Sequence, residues 1–478
     1  MNNTTGLYPQ LPTVTTSQNL VSHAGLATLT GLLNSLGFRH LAEDRLGQFA
    51  PTTATHRPGK MIADLVLMLA SGGAHVTDTD QLRTTPGVFG PVASDATFSR
   101  FFTRLTEHPG AFDYAFATLQ REVRSRLWAA VGQRSPAARA TRANPLVIDI
   151  DASLVHVHSD KEGAKGTYKR GFGFAPMIAM ADYGQGHGTG EVLAVRMRPG
   201  NKGANSAADH IGILSEALAQ LPDDFYDQHG NLIGEKILVR TDSAGASREF
   251  LHHLHALGLQ FSTSYALPVV NERFIGWINE KKYWEPALTA HGKVREDAWV
   301  IDASNILALK DYPPGTRIYL RAEPLHPGAK ANLFDTDGNR VTAFLTNAPR
   351  FDPALLDVRH RARGRCENRI KSLKAAGLGK LPFFAFGANQ AWANLAMFAF
   401  NLVTWLQLAV LPAEHVAGSW DLKRWRYRVW SLAGKLVTGS RQPRILVNQD
   451  APEADLVLLL HERISLLAGR WRNGHLAA

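Results

Sequence analysis

The order of extended and helical segments after Leu146 narrows the fold more than any other feature of this 478-residue chain. Leu146-Val147-Ile148-Asp149-Ile150-Asp151-Ala152-Ser153 follows Asn144-Pro145 and alternates with period two, which puts Ile148 and Ile150 on one face and Asp149 and Asp151 on the other. Apolar runs predict strands over 146–155, 174–181 and 190–198, then a helix over 206–220. A strand over 236–241, a helix over 246–257 and a strand over 259–265 complete the series. Three meandering strands followed by alternating helix and strand build an α/β mixed sheet with helices against it. Residues 267–350, with Trp277, Trp284, Trp299 and short extended runs at 317–322 and 341–346, interrupt that order as a β-rich insertion.

Acids fall where such a sheet places its chemistry. Lys236-Ile237-Leu238-Val239-Arg240-Thr241-Asp242 reads as a buried strand with Asp242 at its C-terminal tip, the end at which open α/β sheets bind ligands. Asp242 also suits an ordinary N-cap for the helix starting near Ala246. A third acid lies in Val358–Ala375, which has no proline and only Gly364 as a breaker. Arg363, Glu367, Lys371 and Lys374 are spaced four, four and three, so on one helix they share a stripe with His360 close by. One carboxylate among so many cations suits a metal-binding acid held against a polyanion.

These blocks carry a resemblance. Arg363, Glu367 and Lys374 are similar to the Tyr-Arg-Glu-Lys signature of bacterial insertion-sequence transposases of the DDE type, with His360 where that family usually has Tyr. Asp151, before Ala152-Ser153, and Asp242, before Ser243, resemble that family's first and second acids. The insertion sequence thirteen-eighty group is the nearest resemblance, with piggyBac-like transposases more distant. The resemblance implies a ribonuclease-H-like core and cut-and-paste transposition. It further implies that Asp151, Asp242 and Glu367 hold two Mg²⁺ or Mn²⁺ ions, with Asp149 as an alternate ligand, and that Arg363, Lys371, Lys374 and His360 meet DNA. Double-stranded DNA, both element ends and target, is the expected partner, and a homodimer joins the two ends. The rival readings are a non-catalytic DNA-binding protein with a transposase fold, and a ribonuclease-H-like nuclease that cuts without joining. His156 and His158 alternate onto the acidic face, but the chain offers no cysteine beside them to complete a zinc site.

The remaining sequence divides around this core. Residues 1–140 are helical. Ser94 reads as the cap of a helix with Phe98, Phe101, Phe102 and Leu105 inward and Arg100 and Arg104 outward. Helix, Gly72-Gly73 turn, short helix and capped basic helix suit a helix-turn-helix reader of DNA as well as an ordinary bundle. The core then runs over 141–266 and 351–411, split by the insertion, and 412–478 form a C-terminal region for DNA binding or dimerisation. There Lys423, Arg424, Arg426 and Arg428 interleave with aromatics, a composition for clamping backbone or for a cationic helix face. The apolar run Ala391–Leu411 is broken by Asn394, Asn401, Thr404 and Gln407, which argues for a buried helix rather than a membrane span. A net charge of +10 suits a polyanionic partner. The single cysteine, Cys366, reads as an incidental thiol of a reducing compartment. No charged leader precedes an apolar stretch at the start, and a cytoplasmic, nucleoid-associated protein is expected.

Overall fold

The alternating segments assemble into one large sheet. The computed structural model describes residues 15, 19–158, 160–203, 206–267, 280, 283–305, 309–325, 328, 339–349, 352–439 and 443–472. The sheet contains nine strands. These are β1 (Leu146–Ala152), β2 (Met177–Asp182), β3 (Glu191–Arg196), β4 (Ile237–Thr241), β5 (Gln260–Tyr265), β6 (Glu285–Leu288), β7 (Val294–Asp302), β8 (Arg317–Pro324) and β9 (Asn339–Thr346). Their spatial order is β6-β7-β8-β9-β5-β4-β1-β2-β3. β1, β2 and β3 pair antiparallel, while β4 lies parallel to both β1 and β5. The parallel pairing sets Asp149 opposite Arg240 and leaves Asp151 and Asp242 just beyond the last paired residues, at neighbouring strand ends.

The insertion differs from its expected form. Residues 267–350 were expected as a β-rich insertion that interrupts the order of the sheet. Instead β9 pairs with β5, and β8, β7 and β6 continue the same sheet. This covers an edge strand that would otherwise expose unpaired backbone groups. Trp277 lies outside the described residues.

The principal helices are α1 (Pro58–Ser71), α2 (Asp95–Glu107), α3 (Pro109–Val131), α4 (Ala207–Leu218), α5 (Arg248–Ala256), α6 (Pro353–Arg361), α7 (Gly364–Leu373), α8 (Phe386–Ala409) and α9 (Ala454–Arg472). Ser94 caps α2 through the Thr97 amide, and Phe98, Phe101, Phe102 and Leu105 are buried. α8 is the buried helix its polar interruptions implied. Asn401 Oδ1 accepts from the Val192 amide at 2.8 Å while its Nδ2 donates to Val192 O at 2.8 Å, and Gln407 donates to Ala417 O and Trp420 O. Among the described residues no helix is long and apolar enough to cross a membrane.

The first 140 residues share their core with the rest of the chain. Phe102 packs on Phe383 and Trp392 with ring centroids 4.2 and 6.2 Å away, and Phe116 meets Phe398 at 6.0 Å. Beside them Glu191 is fully buried. It accepts from Arg124 Nε at 2.8 Å, Trp405 Nε1 at 2.8 Å and the Tyr183 hydroxyl at 2.7 Å, which ties α3, α8 and the β2–β3 hairpin together.

The expected single helix over 358–375 is two. α6 starts on an Asp352 cap with Pro353 at its first position and ends at Arg361. At the join, Arg363 N bonds to His360 O and Cys366 N to Arg363 O, a tighter three-residue ladder. Gly364, with low helix propensity, opens α7 there. α7 then runs into a wide turn, Lys374–Leu378, where Gly377 has φ 125° and a Cβ would stand 2.7 Å from Leu69 Cδ2. Only glycine allows that conformation with α1 and α8 so close.

Candidate active site

Parallel pairing brings the tips of β1 and β4 together, and Arg363 spans them. Its Nη2 lies 3.0 Å from Asp151 Oδ2 and 3.9 Å from Asp242 Oδ2. Asp151 also accepts from the Ala152 amide at 2.9 Å, and Asp242 caps the turn Ser243–Gly245 through the Ala244 amide. Burial pushes the Asp151 carboxyl up to about 6, with Arg363 opposing that shift and the charge of Asp242 adding to it.

Lys374 reaches the same strand from the far end of α7, donating to Leu154 O at 2.7 Å. Burial lowers its pKa, with Lys169 adding to the effect and Asp151 opposing it. Glu367 stands on the stripe between Arg363 and Lys374, exposed and without an ion pair among the described residues. The structure therefore brings Asp151 and Asp242 together but does not bring the expected third acid, Glu367, close enough to complete a metal-holding trio among the described residues. Among the described residues no three His, Cys, Asp or Glu side chains lie close enough to hold a metal ion, the His156–His158 stretch included.

Asp149 is placed differently. Its Oδ1 accepts from Arg240 Nε at 2.6 Å, and its Oδ2 accepts from Arg240 Nη2 at 2.9 Å and Arg369 Nη1 at 3.0 Å, with the side chain 1% exposed. Asp182 completes this buried group on Arg240, Arg365 and Arg369 at 2.7–2.9 Å. Burial opposes the Asp182 charge, yet Arg369, Arg240 and Arg365 together hold its carboxyl well below the usual range. Both oxygens of Asp149 are thus committed to buried guanidinium groups. Sequence reading missed the cluster, although Arg240 inside an apolar strand and Asp182 closing another were its signals.

The expected DNA contacts fall into two groups. His360 stacks on Phe344 at 4.6 Å, and its two nitrogens meet the Ser262 and Ser264 hydroxyls at 2.9 and 3.2 Å. Burial, reinforced by Arg240, Arg363, Arg361 and Arg359, takes its pKa down to about 3, so it supports α6 as neutral imidazole. Arg426 donates to Leu69 O and Ala70 O at 2.7 Å and to Ala375 O at 2.9 Å, closing the end of α1. Arg428 pairs with Glu453. Trp420 and Trp425 are buried, and Arg424 lies over the Trp420 ring at 4.7 Å. Arg100, Arg104, Lys371, Lys423 and Arg424 are exposed. Lys371 and Arg424 line a basic cleft of about 1120 Å³ with Arg139 and Arg365, at the end of β1 opposite Asp151. Burial raises the Cys366 thiol far above its usual range, with Asp149 and Asp151 adding to the shift, which fits an inert packing residue.

Paired acids at the carboxyl ends of neighbouring parallel strands stand where open α/β sheets bind their ligands. The family model described as "Transposase DDE domain group 1" matches residues 4–468, and the chain belongs to that family of DDE transposases. A cryo-EM structure of the piggyBac transposase synaptic complex with hairpin DNA is similar to it with a TM-score of 0.42 and 7% identity, over 85% of this chain and 79% of that chain. No curated protein matches.

Proposed function

We propose that this DDE transposase cuts and rejoins the ends of its own mobile element, with Asp151, Asp242 and Glu367 as the acids that hold divalent metal. The observation that carries this reading is the convergence of Asp151 and Asp242 on one guanidinium, with Glu367 one helical turn beyond Arg363. Carboxylate oxygens are hard donors suited to Mg²⁺ or Mn²⁺, and two such ions supply charge stabilisation to the attacking and leaving oxygens of a phosphodiester displacement. The β3-β2-β1-β4-β5 portion of the sheet supports a ribonuclease-H-like core.

The chain's own residues orient the strand. Arg363 can turn from the acids to fork a phosphate, and Lys374 adds a point charge beyond Glu367. Lys371, Arg424 and Lys423 extend the cationic surface past α7, while Arg100 and Arg104 offer one on α2. A homodimer on DNA, membership of the insertion sequence thirteen-eighty group and a nucleoid location belong to the same reading.

The test incubates purified protein with linear DNA carrying the flanks of its own gene, in Mg²⁺ and in EDTA. Metal-dependent cleavage with joining is expected, and Asp151→Asn, Asp242→Asn and Glu367→Gln should each lower it on the order of a thousandfold while DNA binding persists. Cleavage without joining would make the protein a nuclease. Binding without cleavage would make it a DNA-binding relative. A variant with parental activity removes that acid from the site.

A further inference from the structure

Beside the acids stands a hairpin to which neither the motif nor the family assigns a task. The chain leaves β1, pairs Val155–His156 with Phe172–Phe174, and pairs Lys165–Gly166 with the same strand. The intervening tip, Thr167-Tyr168-Lys169-Arg170-Gly171, puts three large polar or aromatic side chains into solvent. Tyr168 is 75% exposed, and Lys169 Nζ lies 5.7 Å from the centre of its ring.

The exposed tip forms a defined, hydrogen-bonded turn. Arg170 N donates to Thr167 O at 3.0 Å, closing a four-residue turn with Tyr168 and Lys169 at its centre. Thr167 is buried. Its amide donates to Gly171 O at 2.8 Å, and its hydroxyl accepts from the Gly171 amide at 3.1 Å. Arg170 adopts φ 60°, rare for a residue with a side chain, and Gly173 has φ 152°, where a Cβ would stand 2.1 Å from Val155 O. The ring is thus presented on a preset turn, which spares the ordering that a loose loop would undergo on binding.

Its place is set by the acids. Lys374 donates to Leu154 O, three residues after Asp151, and its ammonium senses both Lys169 and Asp151. The hairpin therefore leaves the strand end at Val155, just past Asp151, and carries Lys169 near enough to Lys374 to act on its charge. Apart from the Lys169 ammonium over it, the Tyr168 ring is held open to water. Aromatic faces stack on any base, while cations beside them hold the connecting phosphates. A base inside a duplex offers no free face, so the occupant must be unpaired.

We propose that Tyr168 is a stacking platform for an unpaired nucleobase of the DNA strand lying at Asp151, with Lys169 and Arg170 on the flanking phosphates. It rests on the reading that DNA occupies the acid pair. Tyr168 would be a substrate-positioning residue that keeps the reacting strand apart from its complement.

The probes are a forked duplex with an oligo-dT arm carrying one 5-iododeoxyuridine, and the same sequence fully paired, both in Ca²⁺ to prevent turnover. Irradiation should crosslink Tyr168 to the forked arm, located by mass spectrometry. Tyr168→Ala should weaken fork binding by about tenfold and leave paired-duplex binding unchanged, the loss expected for one stacked base. Tyr168→Phe, which keeps the ring, should bind as the parent does. Equal fork affinity of parent and Tyr168→Ala, or an equal loss on both probes, would overturn the stacking role while the transposase reading stands. A parent chain that binds neither probe would remove both.

Discussion

Asp149→Asn and Asp151→Asn, two positions apart on one strand, should have opposite consequences. Asp149 balances buried Arg240 and Arg369, so its loss leaves uncompensated charge, and about 3–5 kcal/mol of stability should disappear. Asp151 holds a single partly exposed pair with Arg363, worth about 1 kcal/mol or less after screening. Urea unfolding of the two variants checks this: a near-parental midpoint for Asp149→Asn would mean the buried cluster is dispensable. For Arg363, alanine should slow DNA cleavage by at least tenfold, and lysine should restore little because a point charge cannot fork a phosphate. Full rescue by lysine, measured as single-turnover cleavage, would show that charge alone suffices.

The elements hold together through buried polar links as well as apolar packing. Glu191 joins β3 to α3 and α8, and Glu191→Gln would leave Arg124 buried without a counter-charge. We expect a loss of about 3 kcal/mol, read as an earlier urea midpoint at constant slope. Much of this level was legible beforehand. Period-two alternation located β1, apolar runs located β2, β3, β4 and β5, and the asparagines of α8 signalled a helix that bonds to neighbours inside the protein. The break between α6 and α7 was not legible, because Gly364 is tolerable in a helix and the join is decided by what α6 and α7 each pack against. Nor was the extension of the sheet by β6–β9, since strand-sized runs do not reveal which edge they will join. The charged cluster escaped notice because Asp182 and Arg240 are 58 residues apart and meet only through strand order. Resemblance to a family acid alone favours Asp151 over Asp149 in the sequence, and the pairing of Asp149 with Arg240 could not be read from it.

At the scale of the whole molecule, buried residues from Leu26 to Leu467 form one connected core. Deleting residues 1–140 would therefore strip Phe102, Phe116 and Arg124 from α8, and the remainder should be insoluble or molten instead of a working core. Near-ultraviolet circular dichroism of that fragment decides the matter, with a native spectrum as the contrary result. The same contact predicts a pH effect. Burial pushes Asp113 up to about 6, against the hydrogen bond from Asn394 Nδ2 and with the charge of Glu216 adding to it. A carboxyl raised in the folded state favours folding at low pH and weakens it as pH climbs through about 6. Asp113→Asn should then raise the unfolding free energy at pH 7–8 by on the order of 1 kcal/mol, seen as a higher melting temperature, and lose that advantage below about pH 4. No pH dependence in the difference would contradict it. One more consequence concerns synthesis. Phe102 emerges 290 residues before Trp392, its partner on α8. At usual translation speeds the apolar faces of the first helices wait roughly a quarter of a minute to a minute for their cover. A chain built this way must keep its opening third sheltered on the ribosome until its closing third arrives.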